Sequence, residues 1–299
     1  MNENKKIIGY TTGVFDMFHI GHLNILQKAK SMCDYLIVGV STDELVQRDK
    51  NKTPVIPFAE RAEIVKSICY VDQVVPQVDK NKKAAWEQLH FDKMFVGSDW
   101  QGTPQWREFE KEFAPLGVEI VYLPHTDGIS STQLTEFIKK ELNDINSINN
   151  NGGGGRVVGY TTGVFDLFHI GHLNILRCAK EKCDKLIVGV STDENVLSYK
   201  HKKPAIPFDK RVQIIKAIRY VDFVVAQSDM DKFKAWEKLH YNVMFHGSDW
   251  QNSSMYNEIE EKLRTVGVKV EFLPHTDGIS STQLTKFIKE KINCEKKVD

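Results

Sequence analysis

The chain has 299 residues, 41% hydrophobic and 27% charged, with 40 basic against 40 acidic side chains and a formal net charge of zero. That balance excludes a disordered polyelectrolyte and a nucleic-acid-binding footprint. With no apolar run near 18 residues and no signal-peptide pattern, neither a membrane span nor secretion is expected, and a cytoplasmic protein follows. The five cysteines (Cys33, Cys69, Cys178, Cys183 and Cys294) form no CxxC pair and no His/Cys cluster, so no zinc site is expected.

In chain order, Ile7, Ile8 and Tyr10 begin an apolar, β-rich segment that breaks at Gly13 and passes Asp16, His19 and His22. It then turns helical, with Ile20, Leu23 and Leu26, then Ile25 and Ala29, at three- and four-residue spacing. A strand, a glycine turn and a helix N-terminus in that order gather backbone N–H groups and the positive end of a helix dipole at one spot, a cradle for an anion. His19 and His22 share one side of the first helical turn, so a phosphate docked there meets two imidazoles. Tyr35 to Val40 is a continuous apolar run of the kind that parallel sheets cover on both faces. Lys50 to Pro57 reads as a loop, Phe58 to Tyr70 as a helix, Gln73 to Val75 as a short strand, and Lys83 to Leu89 as a helix carrying Trp86. Met94 to Val96 is a strand running into Gly97-Ser98-Asp99-Trp100. Gln105 to Phe113 is helical, Val118 to Leu123 is the last strand, and Ser130 caps a closing helix through about Leu142.

The same words return 150 residues later: Tyr160 to Lys180 repeats Tyr10 to Lys30. The register holds without insertion or deletion to the final helix. Two domains are expected, 1–142 and 156–299, joined by a polar, glycine-ending tether at 143–155 with a span of about 20 Å. Residues 1–150 carry 17 Lys+Arg against 21 Asp+Glu, net −4, and the remainder 23 against 19, net +4. This modest asymmetry helps the halves attract one another. Alternating strands and helices, with connections long enough for right-handed crossovers, predict an α/β fold. It is two tandem Rossmann-like domains, each a mainly parallel five-stranded sheet with helices on both faces. Ligands in such folds sit beyond the carboxyl ends of the strands, where the repeated motifs fall.

The spacing G-x-F-D-x-x-H-x-G-H at Gly13 to His22, and again at Gly163 to His172, resembles the signature of nucleotidyltransferases that include the cytidylyltransferases. Each half is most similar to glycerol-3-phosphate cytidylyltransferases, with choline- and ethanolamine-phosphate enzymes more distant. The resemblance implies that His19, His22, His169 and His172 contact the phosphates of CTP and stabilise a pentavalent transition state. It also implies that Thr12, Gly13, Val14, Phe15 and Gly21, with Thr162, Gly163, Val164, Phe165 and Gly171, line the nucleotide site. Asp16 and Asp166 either cap the helix or orient a histidine or a Mg²⁺ shell, Mg²⁺ being the cofactor expected. A loop lysine of the family assists transfer; here Lys50 is favoured over Lys52, and Lys200 over Lys202. Asp99 and Asp249, in the repeated GSDW, are placed at the base, where a carboxylate accepting from an exocyclic amine selects cytosine.

His125 to Thr132 (HTDGISST) returns unchanged at His275 to Thr282 and is similar to the family's R-T-E-G-I-S-T-T triphosphate segment. It contributes Gly128, Ile129, Ser130, Ser131 and Thr132, and Gly278, Ile279, Ser280, Ser281 and Thr282. His125 and His275 stand where that family usually has arginine, so CTP affinity is expected to be weaker or to rise at lower pH. Arg219 lies in the family's R-Y-V-D segment, which the resemblance places near the dimer contact and active site and so among the acceptor-binding residues, whereas the first half has Cys69 there. Arg61 and Arg211 are candidates for the acceptor's phosphate, and Trp86 and Trp236 for the acceptor pocket.

These readings converge on a cytidylyltransferase: CTP and a small phosphorylated alcohol, glycerol 3-phosphate first and ethanolamine phosphate second, give a CDP-alcohol and pyrophosphate. An adenylyltransferase is the rival within the superfamily, and a half reduced to nucleotide binding is the rival outside catalysis. The halves are expected to form an intrachain pseudo-dimer, with further homo-oligomers open and no nucleic-acid or membrane partner.

Overall fold

A computed structural model describes residues 5–124, 131–150, 156–251, 253–274, 276, 283–284 and 286. The chain divides into two compact units, Met1–Asp127 and Gly128–Asp299. In the first, β1 (Ile8–Gly13), β2 (Tyr35–Ser41), β3 (Gln73–Gln77), β4 (Lys93–Gly97) and β5 (Glu119–Leu123) form one sheet in the order β3-β2-β1-β4-β5. Every pairing given for it is parallel, with Tyr10 opposite Ile37 on one side and Met94 on the other. Leu36, Val38 and Val40 are fully buried, as expected of a strand covered on both faces. The helix α1 (Ile20–Lys30) buries Leu23, Leu26 and Ala29; each large apolar side chain so buried contributes about 1.5–3 kcal/mol.

One helix escaped the sequence reading. Residues 43–50 form α2 (Asp43–Lys50), capped by Thr42, whose hydroxyl accepts from the Leu45 amide, with Asp43 and Glu44 in the first turn. Its remaining residues are nearly all polar, and only Leu45 and Val46 are buried, so it shows little apolar stripe. Asn51, in the left-handed conformation, closes it and leaves Lys50 as its last residue. The next helix, α3 (Phe58–Lys66), ends four residues before the expected Tyr70. α4 (Lys82–Leu89) and α5 (Pro104–Phe113) follow as expected.

The expected tether needs correcting. Residues 131–150 are one helix, α6 (Ser131–Asn150), and only 151–155 of the proposed tether lie outside the described residues. The contacts assign α6 to the second unit rather than the first. The second sheet runs β10-β9-β6-β7-β8. It consists of β6 (Val158–Gly163), β7 (Lys185–Ser191), β8 (Phe223–Gln227), β9 (Val243–Gly247) and β10 (Lys269–Leu273). α6 lies on β8: Ile145 is 2% exposed within the second core, and Leu142 packs beside it. Leu134, Ile138, Leu142 and Ile145 recur at four- and three-residue spacing, so the helical stripe continues past Leu142 into what had been read as tether. Glu141 accepts from the amide of Val224 (2.8 Å) and from Lys216 Nζ (2.8 and 3.0 Å), capping the edge strand of that sheet. The unit continues with α7 (Ile170–Lys180), α8 (Asp193–Lys200), α9 (Phe208–Lys216), α10 (Lys232–Leu239) and α11 (Ser254–Arg264). Among the described residues no helix is long and apolar enough to cross a membrane.

Candidate active site

In each sheet the strand order reverses between the first strand of the unit and its fourth, β1 and β4 or β6 and β9, which places a crevice at their carboxyl ends. The turn leaving β1 there is strained: Phe15 (φ 54°) and Met17 (φ 46°) are left-handed without being glycine, as are Phe165 (54°) and Leu167 (48°). Such residues cost about 1–3 kcal/mol each and persist only where neighbours over-determine them. Two side chains do so. Asp16 accepts from the amides of Val55 (2.8 Å) and Ile56 (2.9 Å), and Asp166 repeats this with Ala205 and Ile206. Arg61 donates to the carbonyls of Val14 and Ile56 and to Asp43 Oδ1 (2.6 Å). Arg211 does the same with Val164, Ile206 and Asp193, and adds the carbonyl of Ser191.

These bonds correct two expectations. Arg61 and Arg211 are each 1% exposed and tie the turn to the following helices, so they are not presented to an acceptor's phosphate. Asp16 is not the helix cap: each of its oxygens accepts from an amide of the Val55–Ile56 segment.

The cap of α1 is His19 itself. Its Nδ1 accepts from the Gly21 amide at 3.1 Å, and His169 does the same with Gly171. The accepting nitrogen carries no proton, so the other, Nε2, is the donor. Gly21 is required by this fold-over, since a Cβ there would lie 2.9 Å from the His19 ring. His22 stacks on His19 with ring centroids 3.9 Å apart, and His172 on His169 at the same separation. Phe15 and Phe18 flank His22 at 5.2 and 5.7 Å. Burial, then the neighbouring imidazole, pushes His22 down to about 3; burial pushes His169 down to about 4 and lowers His19, and His172 falls well below the usual imidazole value. Both pairs are therefore neutral N–H donors near pH 7 in the ligand-free protein. His169 is 8% exposed whereas His19 is exposed, so the second pair is set deeper.

In the second unit Thr162, Gly163, Val164, Ser191, Lys200 and Lys232 line one cavity, walled further by Tyr199, Met230, His246, Trp250 and Tyr256. Lys200 thus stands where a loop cation was expected, and its charge acts on His172. Lys50 is the matching last residue of α2 in the first unit. Asp99 and Asp249 lie in the short 3₁₀ turns Ser98–Trp100 and Ser248–Trp250 that leave β4 and β9 at the same strand ends.

The remaining candidates divide. Trp86 donates its indole N–H to the Phe91 carbonyl (3.1 Å) and packs on the first core; Trp236 packs on the second core and does not line the cavity of its unit. Arg219, expected near the active site, precedes β8 and so lies at the amino edge of the sheet, a strand length of roughly 16 Å from the site edge of its own unit. His125, Gly128, Ile129 and Ser130, with His275 and 277–282, lie outside the described residues, as do the side chains of Ser131 and Thr132. Thr276 is described, and its hydroxyl accepts from Asn174 of α7 at 3.0 Å, tying that segment to the helix that carries the imidazoles.

The sequence reading missed Lys82 and Lys232. Each opens a helix, α4 or α10, and each is buried, at 7% and 2% exposure. A lysine repeated at a helix N-terminus, where the dipole opposes its charge, was the available signal.

The sequence profile of the Cytidylyltransferase-like family matches residues 10–137 and 160–287. The chain belongs to that family. A glycerol-3-phosphate cytidylyltransferase of Bacillus spizizenii is 41% identical over 139 residues, 46% of this chain and 97% of that protein. An ethanolamine-phosphate cytidylyltransferase of Dictyostelium discoideum is 28% identical over 333 aligned positions, 95% of this chain and 91% of the relative. A probable ethanolamine-phosphate cytidylyltransferase of Encephalitozoon cuniculi is 30% identical over 284 positions, 87% of each. This cytidylyltransferase-like chain is a nucleotidyltransferase with two copies of the family's domain.

Proposed function

We propose that the chain transfers a cytidylyl group from CTP to a small phosphorylated alcohol, releasing pyrophosphate, with glycerol 3-phosphate the leading acceptor. The observation that carries this reading is the stacked pair of neutral imidazoles on a helix N-terminus at the strand crevice, present in both units. An oxygen of the acceptor's phosphate attacks the α-phosphorus of CTP, a new P–O bond forms, and the bond to the β-phosphate breaks with its electron pair leaving on pyrophosphate. No side chain needs to be a nucleophile; charge building on the equatorial oxygens is met by the imidazole N–H groups, the helix N-terminus and Lys50 or Lys200. Among the described residues no group of three or more His, Cys, Asp or Glu side chains is placed to hold a metal. Mg²⁺ is accordingly proposed to enter as a complex of the CTP triphosphate, with no protein ligand set assigned.

The cavity chemistry supports glycerol 3-phosphate. Its described lining holds two ammonium groups, Lys200 and Lys232, and no carboxylate, which suits a polyol phosphate without a cationic group better than one carrying an ammonium. The second reading, ethanolamine phosphate, is favoured by the near full-length match to tandem-length relatives. Pyrophosphate release with CTP or ATP against both acceptors separates the two. A kcat/KM for ethanolamine phosphate above that for glycerol 3-phosphate reverses the order, and turnover with ATP alone rejects the cytidylyl assignment.

A further inference from the structure

One wall of the second unit's cavity carries a polar ring that the transfer step does not use. His246 lines that cavity, packed against Tyr256 at 4.5 Å and edge-on to Trp250 at 5.7 Å. Its Nδ1 is buried and has no hydrogen-bond partner among the described residues. Burial first, then the charge of Lys232, pushes the ring down to about 4, while the Gly247 backbone and Asp249 act the other way. The imidazole is therefore neutral near pH 7. A polar ring kept in an aromatic wall without a protein partner is costly, and a ligand group that completes its bonding is the natural reason to keep it. The matching residue of the first unit is Val96, which has no polar side-chain atom.

The sheet decides which substrate this ring meets. Tyr160 stands opposite Met244, and both pack with Leu239 and Tyr256 in the second core. Side chains alternate along a strand, so Thr162 and His246, two residues further on, share that face and line the cavity together. No residue of α7 is part of the lining, so the imidazole pair and the cavity are different walls at the strand ends. Entering and leaving oxygens stand in line on opposite sides of the α-phosphorus. With the triphosphate over the helix N-terminus, the incoming group arrives from the cavity. A neutral imidazole offers one N–H and one lone pair, and a hydroxyl answers either. An ammonium can only donate, and Lys200 and Lys232 stand in the same cavity to repel it. We propose that His246 is a specificity-determining residue of the second unit, hydrogen-bonding a hydroxyl on the carbon chain of the acceptor, and that the first unit, with Val96, lacks this selection. This rests on the cytidylyl-transfer reading above.

The test uses the full chain with His19→Ala and His22→Ala, so that the second unit alone turns over. It compares glycerol 3-phosphate with propyl phosphate, the same carbon chain without hydroxyls. Glycerol 3-phosphate should have the lower KM, and His246→Val should raise it about fivefold while the propyl phosphate KM stays within about twofold. Valine stands at this place in the first unit, so the variant is expected to fold. An equal rise for both acceptors overturns the proposal, and so does an unchanged KM or a preference for propyl phosphate or ethanolamine phosphate before the substitution. A preference of the same size in the first unit, measured with His169→Ala and His172→Ala instead, overturns it too, because Val96 cannot supply the bond. Should the wild-type chain turn over no phosphorylated alcohol, the reaction reading fails, and binding alone then reads the ring. A rise in Tm larger with glycerol 3-phosphate than with propyl phosphate, and equalised by His246→Val, supports the role of His246; equal rises in the wild type overturn it.

Discussion

The two units share the imidazole-bearing turn almost residue for residue and differ in the wall facing it. In the second, Tyr199, Met230, His246 and Tyr256 line the cavity; the matching residues in the first are Asp49, Lys80, Val96 and Trp106. Asp49 and Lys80 pair at 3.2 Å, with Asp49 only 17% exposed, where the second unit offers a ring and a thioether. His246 joins Tyr256 and Trp250 in an aromatic cluster at 4.5 and 5.7 Å, while Trp106 packs instead with Phe109 and Tyr122. Lys82 donates to Thr12, whereas Lys232 Nζ has no hydrogen-bond partner among the described residues. The lesson is that duplication has held the turn and its imidazole pair and let the facing wall diverge.

The largest test removes the shared part. His19→Ala with His22→Ala should lower the first unit's kcat by roughly 10²–10³, and His169→Ala with His172→Ala the second's equally, so that only the quadruple variant loses nearly all pyrophosphate release. If one pair accounts for all activity, the comparison becomes one between a working and a silent site. Next comes the clamp on the strained turn. Arg61→Met or Arg211→Met leaves two or more buried carbonyls without their donor and should cost on the order of 3 kcal/mol, read as a fall in denaturation midpoint.

A pH test follows from the buried imidazoles. His22, His169 and His246 have folded values pushed down to about 3, 4 and 4, mainly by burial. The unfolded chain takes up their protons below about 6.5 and the native state does not, so their contribution is complete above 6.5 and lost as pH falls toward the folded values. At pH 5.5 each costs on the order of 1.4 kcal/mol. His246→Val, which installs the first unit's residue, should recover about one such share in calorimetry between pH 7.5 and 5.5; no difference from wild type would show His246 to be protonated in the fold. The smallest effect is the wall exchange. Asp49→Tyr should lower the first unit's acceptor KM about threefold, by removing a carboxylate from the approach of a dianion, and Tyr199→Asp should raise the second's, each measured with the other imidazole pair removed.

Most strands and the imidazole pair were legible because their signals are local. Leu36 to Val40 reads as a strand because both faces are covered, and His19 with His22 reads as a site because three residues of helix bring them together. Arg61, Lys82 and Asp16 were not legible in their roles: the groups they bond lie up to 47, 70 and 40 positions away, and chain spacing carries no record of such partners. Helix α2 was hidden by its polarity, having two buried residues among eight.

α6 is made with one repeat and folds with the other, and this orders events during synthesis. The helix leaves the ribosome more than 70 residues before β8, the strand it covers, and at about 5–20 residues per second it waits some 4–15 s with Ile138, Leu142 and Ile145 uncovered. A gene cut at Leu142 to express the repeats singly would strand Ile138, Glu141 and Leu142 on one product and bare the edge amide of Val224 on the other. A cut at Asp127 keeps helix and sheet in the same polypeptide.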